Sequence, residues 1–539
     1  MNEEIAEYYE ELYRLYIDEN QPLERRYRQL RESLERVVRE RIQGNSLQTT
    51  DLAARINYVA TQYELDIKEQ NQLHTFRLTS NDILNHRKFP AKEEFLRDLR
   101  AVAFAYRKMF AQDIPLKLFS VLPKQEITSL GKKEKKEYIR RIRVCFDYAD
   151  DTYLYVHPVD IIADEPIRVV YNKPGINHEF EETIKELWRY AQLNLLDVFV
   201  DREGIYTPSF IVLEPDYLID ISSLAECYKD YGSHPANYFL SRLVPIDNAR
   251  PLLLGNIANL FLDEWIHAGE EEPDYIDCMK KAFRQYPIEL AACAELRDPS
   301  KEKEFAKDCR MHFEHIRDIV QHTFLEPGYN LDKKDAVLEP SYICEALGIQ
   351  GRLDYMQRDM SSFIEMKSGK ADEFSIQGKV EPKENNKVQM LLYMAVLEYS
   401  MGQDRRRMHP YLLYTRYPLL YPARASWAQV RRVINLRNRI VAAEYGVQFH
   451  NHSDFTRNLL AQINPEVMNE RKLRGRFWEQ YLKPSISRFR EKLSALEPLE
   501  QAYFYTLYNF ITKELYTSKS GDVDYEGRAG ASALWLSTL

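Results

Sequence analysis

The chain has 539 residues, 45% of them apolar and 29% charged, and a formal net charge of −9. That length is too great for one core and divides into about three to four domains, while the negative balance excludes a generally cationic, sticky surface and leaves only local basic patches to consider. No run of about 18 uncharged apolar residues could cross a bilayer, and the acidic amphipathic start, MNEEIAEYYEELYRLY, is the opposite of a secretory leader, so no membrane partner and a cytoplasmic location are expected.

Residues 1–113 read as a helical N-terminal region. In QPLERRYRQLRESLERVVRERIQGN, Pro22 suits a first helical position and Gly44 a C-terminal cap, with Leu23, Tyr27, Leu30, Leu34, Val37 and Arg41 at heptad spacing. The stripe is shorter than three heptads, which points to a helix packed on its own protein rather than a coiled coil. Its arginines alternate with glutamates three and four residues away and read as a solvated face.

From 114 to 220 the period changes to two. YIRRIRVCFDYAD sets Ile142, Val144, Phe146 and Tyr148 against Arg143, Cys145 and Asp147, and DTYLYVHP, PIRVVYN and SFIVLEPDYLIDI follow. One amphipathic helix, NHEFEETIKELWRYAQLNL, is expected to interrupt a small β-rich module with a barrel as its candidate form. Helices return from 221 to about 335. Two strands are then expected in GRLDYMQRDMSSFIEMKSGK, a helix at about 384–400 and a strand in PYLLYTRYP, all within a domain spanning 221–450. Residues 451–539 read as helical and end on GRAGASALWLSTL. The six cysteines include no C-x-x-C pair, so neither a zinc site nor a disulfide framework is indicated, and buried reduced thiols are expected.

The stretch at 351–370 carries the chemistry. A period of two in FIEMKS places Phe363, Glu365 and Lys367 on one strand face, with Asp354 at the end of the preceding run. Phosphodiester hydrolysis calls for a divalent cation, and hard Mg2+ takes one or two carboxylates plus water and substrate oxygens. Asp354 and Glu365 could supply those carboxylates, and Lys367 could orient or deprotonate the attacking water and stabilise negative charge. Spacing alone is weak evidence, since Glu134-Lys135-Lys136, Glu381-Pro382-Lys383 and Glu470-Arg471-Lys472 repeat it; an ordinary structural hairpin fits the trio as well. Downstream, Gln389 and Tyr393 lie four apart on one helix face, and a glutamine among Val388, Leu391 and Leu392 requires a polar partner.

GRLDYM, then FIEMKSGK, then QMLLYMAVL resemble the consecutive motifs of the RecB-type branch of the PD-(D/E)xK nuclease superfamily. The resemblance implies an α/β fold with a restriction-endonuclease-like core, a mixed sheet flanked by helices. It implies Asp354 and Glu365 as ligands of Mg2+ or Mn2+, the main-chain carbonyl of Met366 as a further ligand, Lys367 as the catalytic lysine, and Gln389 and Tyr393 as the supporting motif. That branch carries a G-x-x-x-H metal-binding motif upstream; here LLLGNIANLFLDEW puts Asn259 in the place of the histidine, with Asp263 or Glu339 as other candidate ligands. YTPSFIVLEPDYLIDISSLAECY before this block, and YFYTLYNFITKELY with GASALW after it, are similar to nuclease-helicase fusions that process Okazaki fragments. A role in DNA replication or repair, and a helicase domain C-terminal to this chain, are therefore expected. Many relatives bind an iron-sulphur cluster through one upstream and three downstream cysteines; Cys227 could be the first, but none follows Cys344, so no cluster is expected. No G-x-x-x-x-G-K-[ST] is present, so no ATP site is expected in this chain.

Between Arg405 and Ile440 the chain holds Arg405, Arg406, Arg407, Arg416, Arg424, Arg431, Arg432, Arg437 and Arg439 with no Asp or Glu. Tyr411, Tyr414, Tyr417, Tyr421 and Trp427 are interleaved, a composition that suits a single-stranded nucleic-acid path. The expected activity is a metal-dependent deoxyribonuclease acting on single-stranded or flap DNA. The alternative is a catalytically inactive nuclease fold serving as a DNA-binding scaffold, for which Asn259 is the main argument.

Overall fold

The periodicity of the N-terminal region produces five helices, α1 (Glu3–Ile17), α2 (Leu23–Ile42), α3 (Leu52–Gln62), α4 (Ile67–Leu84) and α5 (Lys92–Phe110), and a short α6 (Leu116–Phe119). The computed structural model describes residues 3–42, 51–123, 137–163, 165–244, 250–329, 331–374, 379–424, 426–450 and 453–520. Gly44, the Glu134-Lys135-Lys136 run and the closing GRAGASALWLSTL lie outside them. Tyr27, Leu30, Leu34 and Val37 of α2 are fully buried against Phe76 of α4 and Phe95 of α5, as the heptad stripe predicts. One arginine departs from the solvated face: Arg26 is only 4% exposed and donates through Nε to the Leu15 carbonyl at 2.7 Å. The start of α4 is set locally by a capping box between Asp66 and Glu69.

Six strands follow: β1 (Tyr138–Ala149), β2 (Tyr153–Pro158), β3 (Ile167–Val170), β4 (Gln192–Val200), β5 (Tyr206–Thr207) and β6 (Phe210–Leu213), in the order β1-β2-β3-β5-β4-β6. Because β4 also pairs with β1, five of them form a closed circuit, the connectivity of a small barrel. The helix predicted over NHEFEETIKELWRYAQLNL is confined to α7 (Glu181–Lys185) and a preceding 3-10 turn; residues 186–191 are turn and irregular, and the closing QLNL opens β4. Leu193, Leu195, Leu196 and Val198 are all fully buried, and a run apolar on both faces carries no period to separate strand from helix. Cys145, placed by alternation on the polar face of β1, is fully buried in the core it shares with the helices.

The helical region and this sheet fall in one unit, residues 1–217 with 441–452 and 509–539; the second unit comprises 218–440 and 453–508. The second unit contains β7 (Ile219–Asp220), α8 (Ile221–Ala225), α9 (Ala236–Leu243), α10 (Arg250–His267), α11 (Tyr275–Gln285), α12 (Pro287–Ala292) and α13 (Pro299–Gln321). After these come β8 (Ala336–Leu338), β9 (Ser341–Cys344), β10 (Ile349–Arg352), β11 (Tyr355–Gln357), β12 (Ser362–Lys367), the hairpin β13 (Asp372–Phe374) and β14 (Lys379–Glu381), α14 (Glu384–Met401), β15 (His409–Tyr414) and β16 (Leu419–Pro422). The remaining helices are α15 (Trp427–Phe449), α16 (Ser453–Ala461), α17 (Pro465–Met468), α18 (Lys483–Ser494) and α19 (Pro498–Ser520).

One sheet runs β16-β15-β12-β11-β8, mixed because β12 and β15 are parallel while the other pairs are antiparallel; β7-β10-β9 form a second. α14 is the crossover between β12 and β15, the connection that parallel neighbours need. Every residue from Val388 to Leu397 of α14 is buried, so this helix is apolar all round because it is enclosed all round. α10 and α13 pack with Tyr355, Ile364, Tyr411 and Leu413 of the five-stranded sheet.

Candidate active site

β12 lies between β11 and β15 and is buried on both faces: Phe363 and Ile364 are fully buried, and Glu365 is only 4% exposed. A carboxyl group there is costly without polar partners. Two supply them. Lys367 Nζ donates to Glu365 Oε1 at 2.8 Å, and Gln389 Nε2 donates to the same oxygen at 2.6 Å. Lys367 Nζ also donates to Gln389 Oε1 at 2.9 Å, closing a triangle of three side chains. Strand alternation aligns Glu365 with Lys367, and α14 brings Gln389 to both. Glu365 Oε2 is buried and accepts no hydrogen bond.

Asp354 is not on a strand as its position in the sequence suggests. It occupies the bend between β10 and β11, where the chain leaves the three-stranded sheet for the five-stranded one. Its Oδ2 accepts the main-chain N–H of Met366 at 2.6 Å, which ties the bend to β12 directly between Glu365 and Lys367. The approach to the bend is tight: a Cβ at Gly351 would stand 3.1 Å from Cε1 of Tyr393. The Tyr393 hydroxyl donates to the Arg352 carbonyl at 2.5 Å. Tyr393 therefore holds the backbone that presents Asp354, and Gln389 holds the other two side chains.

Burial, reinforced by the neighbouring Asp354, pushes the Glu365 carboxyl up to about 8, and Lys367 only partly offsets this. Burial also raises Asp354, against the Met366 hydrogen bond and Lys367. For Lys367 burial acts downward, yet Glu365, Asp354 and Glu226 outweigh it and hold the ammonium above its usual range. A lysine so held is a donor and a fixed charge rather than a proton acceptor. Asp263 on α10 is pushed up to about 6, first by burial and then by Glu339, with Asp354 adding to it. Acidic groups from α10, the β8–β9 turn, the Asp354 bend and β12 thus crowd one region, and a bound cation would relieve that crowding.

Asn259 lies on α10 four residues after Gly255 and four before Asp263, so the three share one helix face. Gly255 abuts Ser368, where a Cβ would be 3.4 Å from Oγ, and Asp263 feels Glu339 and Asp354. Half-buried Asn259 sits between these two anchors. Glu339 adopts φ +49°, a left-handed conformation that is uncommon for this residue type. Its N–H donates to the Asp354 carbonyl at 3.1 Å and its carboxylate pairs with Arg352 at 3.0 Å. Among the described residues no three His, Cys, Asp or Glu side chains are grouped closely enough to hold a metal ion. The donors that do converge, Asp354 and Glu365 with the unsatisfied Oε2, match the sparse carboxylate set that Mg2+ commonly uses. Glu226 is the neighbour that sequence reasoning missed. Held by Lys229 at 2.9 Å and Asn385 at 3.0 Å, it acts electrostatically on Lys367, but its three-residue spacing from Lys229 reads as an ordinary helix pair.

The arginine segment is divided between the two ends of the five-stranded sheet. The Thr415 N–H donates to the Lys367 carbonyl, whereas the His409 N–H donates to Ser361 at the opposite end of β12. Arg416 therefore belongs to the carboxylate end. Arg405, Arg406 and Arg407 follow α14, whose C-terminus lies roughly 18 Å beyond Gln389 at about 1.5 Å per residue, and Arg424 follows Ala423, bonded to Pro410; all four are at the far end. Arg405 pairs with Glu398 at 3.4 Å and stacks on Trp427. Arg431 is half-buried; Arg432 is exposed and acts on the Tyr228 hydroxyl. Arg437 is fully buried, its Nε donating to the Gly348 carbonyl at 3.1 Å. Tyr411 and Tyr414 are buried, and the Tyr414 hydroxyl accepts from Lys383 and Asn386, so neither ring can stack on a base. All six cysteines are buried free thiols. Among the described residues no helix is long and apolar enough to cross a membrane. Comparison with known proteins gives no match, either to a family model or to a curated sequence.

Proposed function

We propose that the protein is a Mg2+- or Mn2+-dependent nuclease of the RecB-like PD-(D/E)xK type, hydrolysing phosphodiester bonds of single-stranded or flap DNA as part of helicase-linked replication or repair. The observation that carries this reading is the buried triangle of Glu365, Lys367 and Gln389, tied to Asp354 through the Met366 N–H. The meander β8-β11-β12, the crossover α14 and the parallel return β15 also fit a restriction-endonuclease-like core.

Asp354 and Glu365, with the Met366 carbonyl, would hold the ion. Once bound, such an ion lowers the pKa of water and offsets charge on phosphoryl oxygens. Hydrolysis joins a water oxygen to phosphorus and breaks one P–O ester bond, so negative charge grows on the phosphoryl and leaving oxygens. Lys367, held as an ammonium, orients the water and stabilises that charge, while the proton the water loses passes to bulk solvent, which returns one to the leaving oxygen. Gln389 fixes the lysine and Glu365 in register.

Asn259, an amide on α10 where the resembled motif carries a metal-binding histidine, favours a second reading, an inactive nuclease fold used as a DNA-binding scaffold. One assay separates the two. Purified protein with Mn2+ should degrade labelled single-stranded DNA, and Glu365→Ala or Lys367→Ala should abolish this with the circular dichroism unchanged. Wild type that binds DNA yet is as inert as Lys367→Ala would establish the scaffold.

A further inference from the structure

We propose that the exposed basic surface of residues 471–492 is a docking site for single-stranded nucleic acid, delivering the strand toward the Glu365 and Lys367 site. The segment RKLRGRFWEQYLKPSISRFREK contains eight Lys and Arg against two acids, Glu479 and Glu491. Arg471 is bridged to Glu384 and Lys483 to Glu479, while Lys472, Arg474, Arg476, Arg488, Arg490 and Lys492 are exposed. Basic charge alone would suit any polyanion. The aromatic side chains narrow the choice.

Phe477 is 56% exposed and Tyr481 63% exposed, neighbouring rings whose centroids are 6.1 Å apart. They are presented outward because the other side of the segment is anchored. Trp478 is buried edge-on against Tyr231, with centroids 5.9 Å apart, and Ile486 is fully buried. Exposed planar rings among guanidinium groups are what unpaired bases and their phosphates require: rings stack on any base, and arginines track the backbone. The buried Tyr411 and Tyr414 cannot do this.

The position of the surface connects it to the site. The Glu470 carboxylate accepts the Ser233 N–H at 2.7 Å, and Arg471 reaches Glu384, the first residue of α14. Asn385, the next residue, holds Glu226, which acts on Lys367, and Gln389 lies little more than one turn further along. The surface thus begins at the end of α14 that carries the supporting glutamine.

This inference rests on the nuclease reading for its direction but is tested without cleavage. Binding of fluorescein-labelled oligodeoxythymidine is followed by anisotropy in EDTA. Phe477→Ala with Tyr481→Ala should weaken binding about tenfold or more. Arg488→Gln with Arg490→Gln should make the plot of log affinity against log salt shallower by about 1.4, at about 0.7 for each phosphate no longer neutralised. Wild-type affinity in either variant, equal affinity for an abasic oligonucleotide of the same length, or preference for anionic vesicles would overturn the proposal. DNA binding in EDTA by a wild type that never cleaves with Mn2+ would sink the nuclease reading and support this surface. Cleavage undiminished in the ring variant at subsaturating DNA would sink this surface alone.

Discussion

Replacing Gln389 by leucine tests the central triangle most directly. The side chain is only 6% exposed and lies among apolar neighbours, so Gln389→Leu keeps the volume and creates almost no cavity. It removes one donor from Glu365 Oε1 and one acceptor from Lys367, while the 2.8 Å bond between those two groups survives. Leaving a buried polar group short of a partner costs about 1–3 kcal/mol. With two such groups, each keeping one partner, and a favourable transfer of the leucine methyl groups, the net loss should be about 1–3 kcal/mol. Hydrogen exchange in a peptide covering Ser362–Lys367 reads this locally, which avoids assuming that a two-unit chain unfolds in one step. A double-mutant cycle with Lys367→Met should give a coupling of about 1 kcal/mol. Cleavage should fall about 10- to 100-fold, the usual effect of losing a partner that orients a metal ligand. Additive single effects within about 0.3 kcal/mol, together with wild-type cleavage, would show that the triangle is packing rather than machinery.

Three further outcomes are expected. Lys367→Met should cut Mn2+-dependent cleavage at least about 100-fold while leaving DNA binding in EDTA intact, since it removes a donor for developing charge; activity above a tenth of wild type would refute that role. Gly348→Ala should destabilise by about 2 kcal/mol or more in urea unfolding, because Gly348 has φ +65° and a Cβ would run into the fully buried Arg437 guanidinium; a change under about 0.5 kcal/mol would contradict this. Asp98 is 1% exposed, and its carboxyl is pushed from 3.8 to about 6 by burial, with Arg97 and Tyr27 only partly offsetting it. A raised folded pKa contributes stability that is complete below about pH 4 and lost as the pH rises through about 6. Asp98→Asn cannot ionise, so it should gain on wild type across that window by up to about 3 kcal/mol, at about 1.4 kcal/mol per pKa unit; a difference that stays flat from about pH 4 to 8 would refute the argument.

Strand alternation in FIEMKS was enough to put Glu365 beside Lys367, because a period of two is a property of the extended backbone and needs no knowledge of the partner strands. Four-residue spacing likewise put Gln389 and Tyr393 on one helix face. The same local logic failed in QLNLLDVFV, where an apolar run buried on both sides has no period to read, and for the arginine segment composition could not say which end of the sheet each residue reaches. Tyr411 and Tyr414 looked like stacking platforms in sequence because burial is decided by what packs above them. Phe477 and Tyr481 were passed over because nothing local distinguishes an exposed ring from a core one.

What the sequence determined by itself is therefore the set of elements around the site and the pairing of Glu365 with Lys367, both consequences of short-range backbone geometry. Tertiary structure alone decided that Asp354 sits in a bend bonded to the Met366 N–H, that Gln389 closes the triangle, and that Glu226 and Asp263 act on its charges. Those interactions join residues from 12 to 141 positions apart, and only the packing of α8, α10 and α14 around β12 brings them within electrostatic reach.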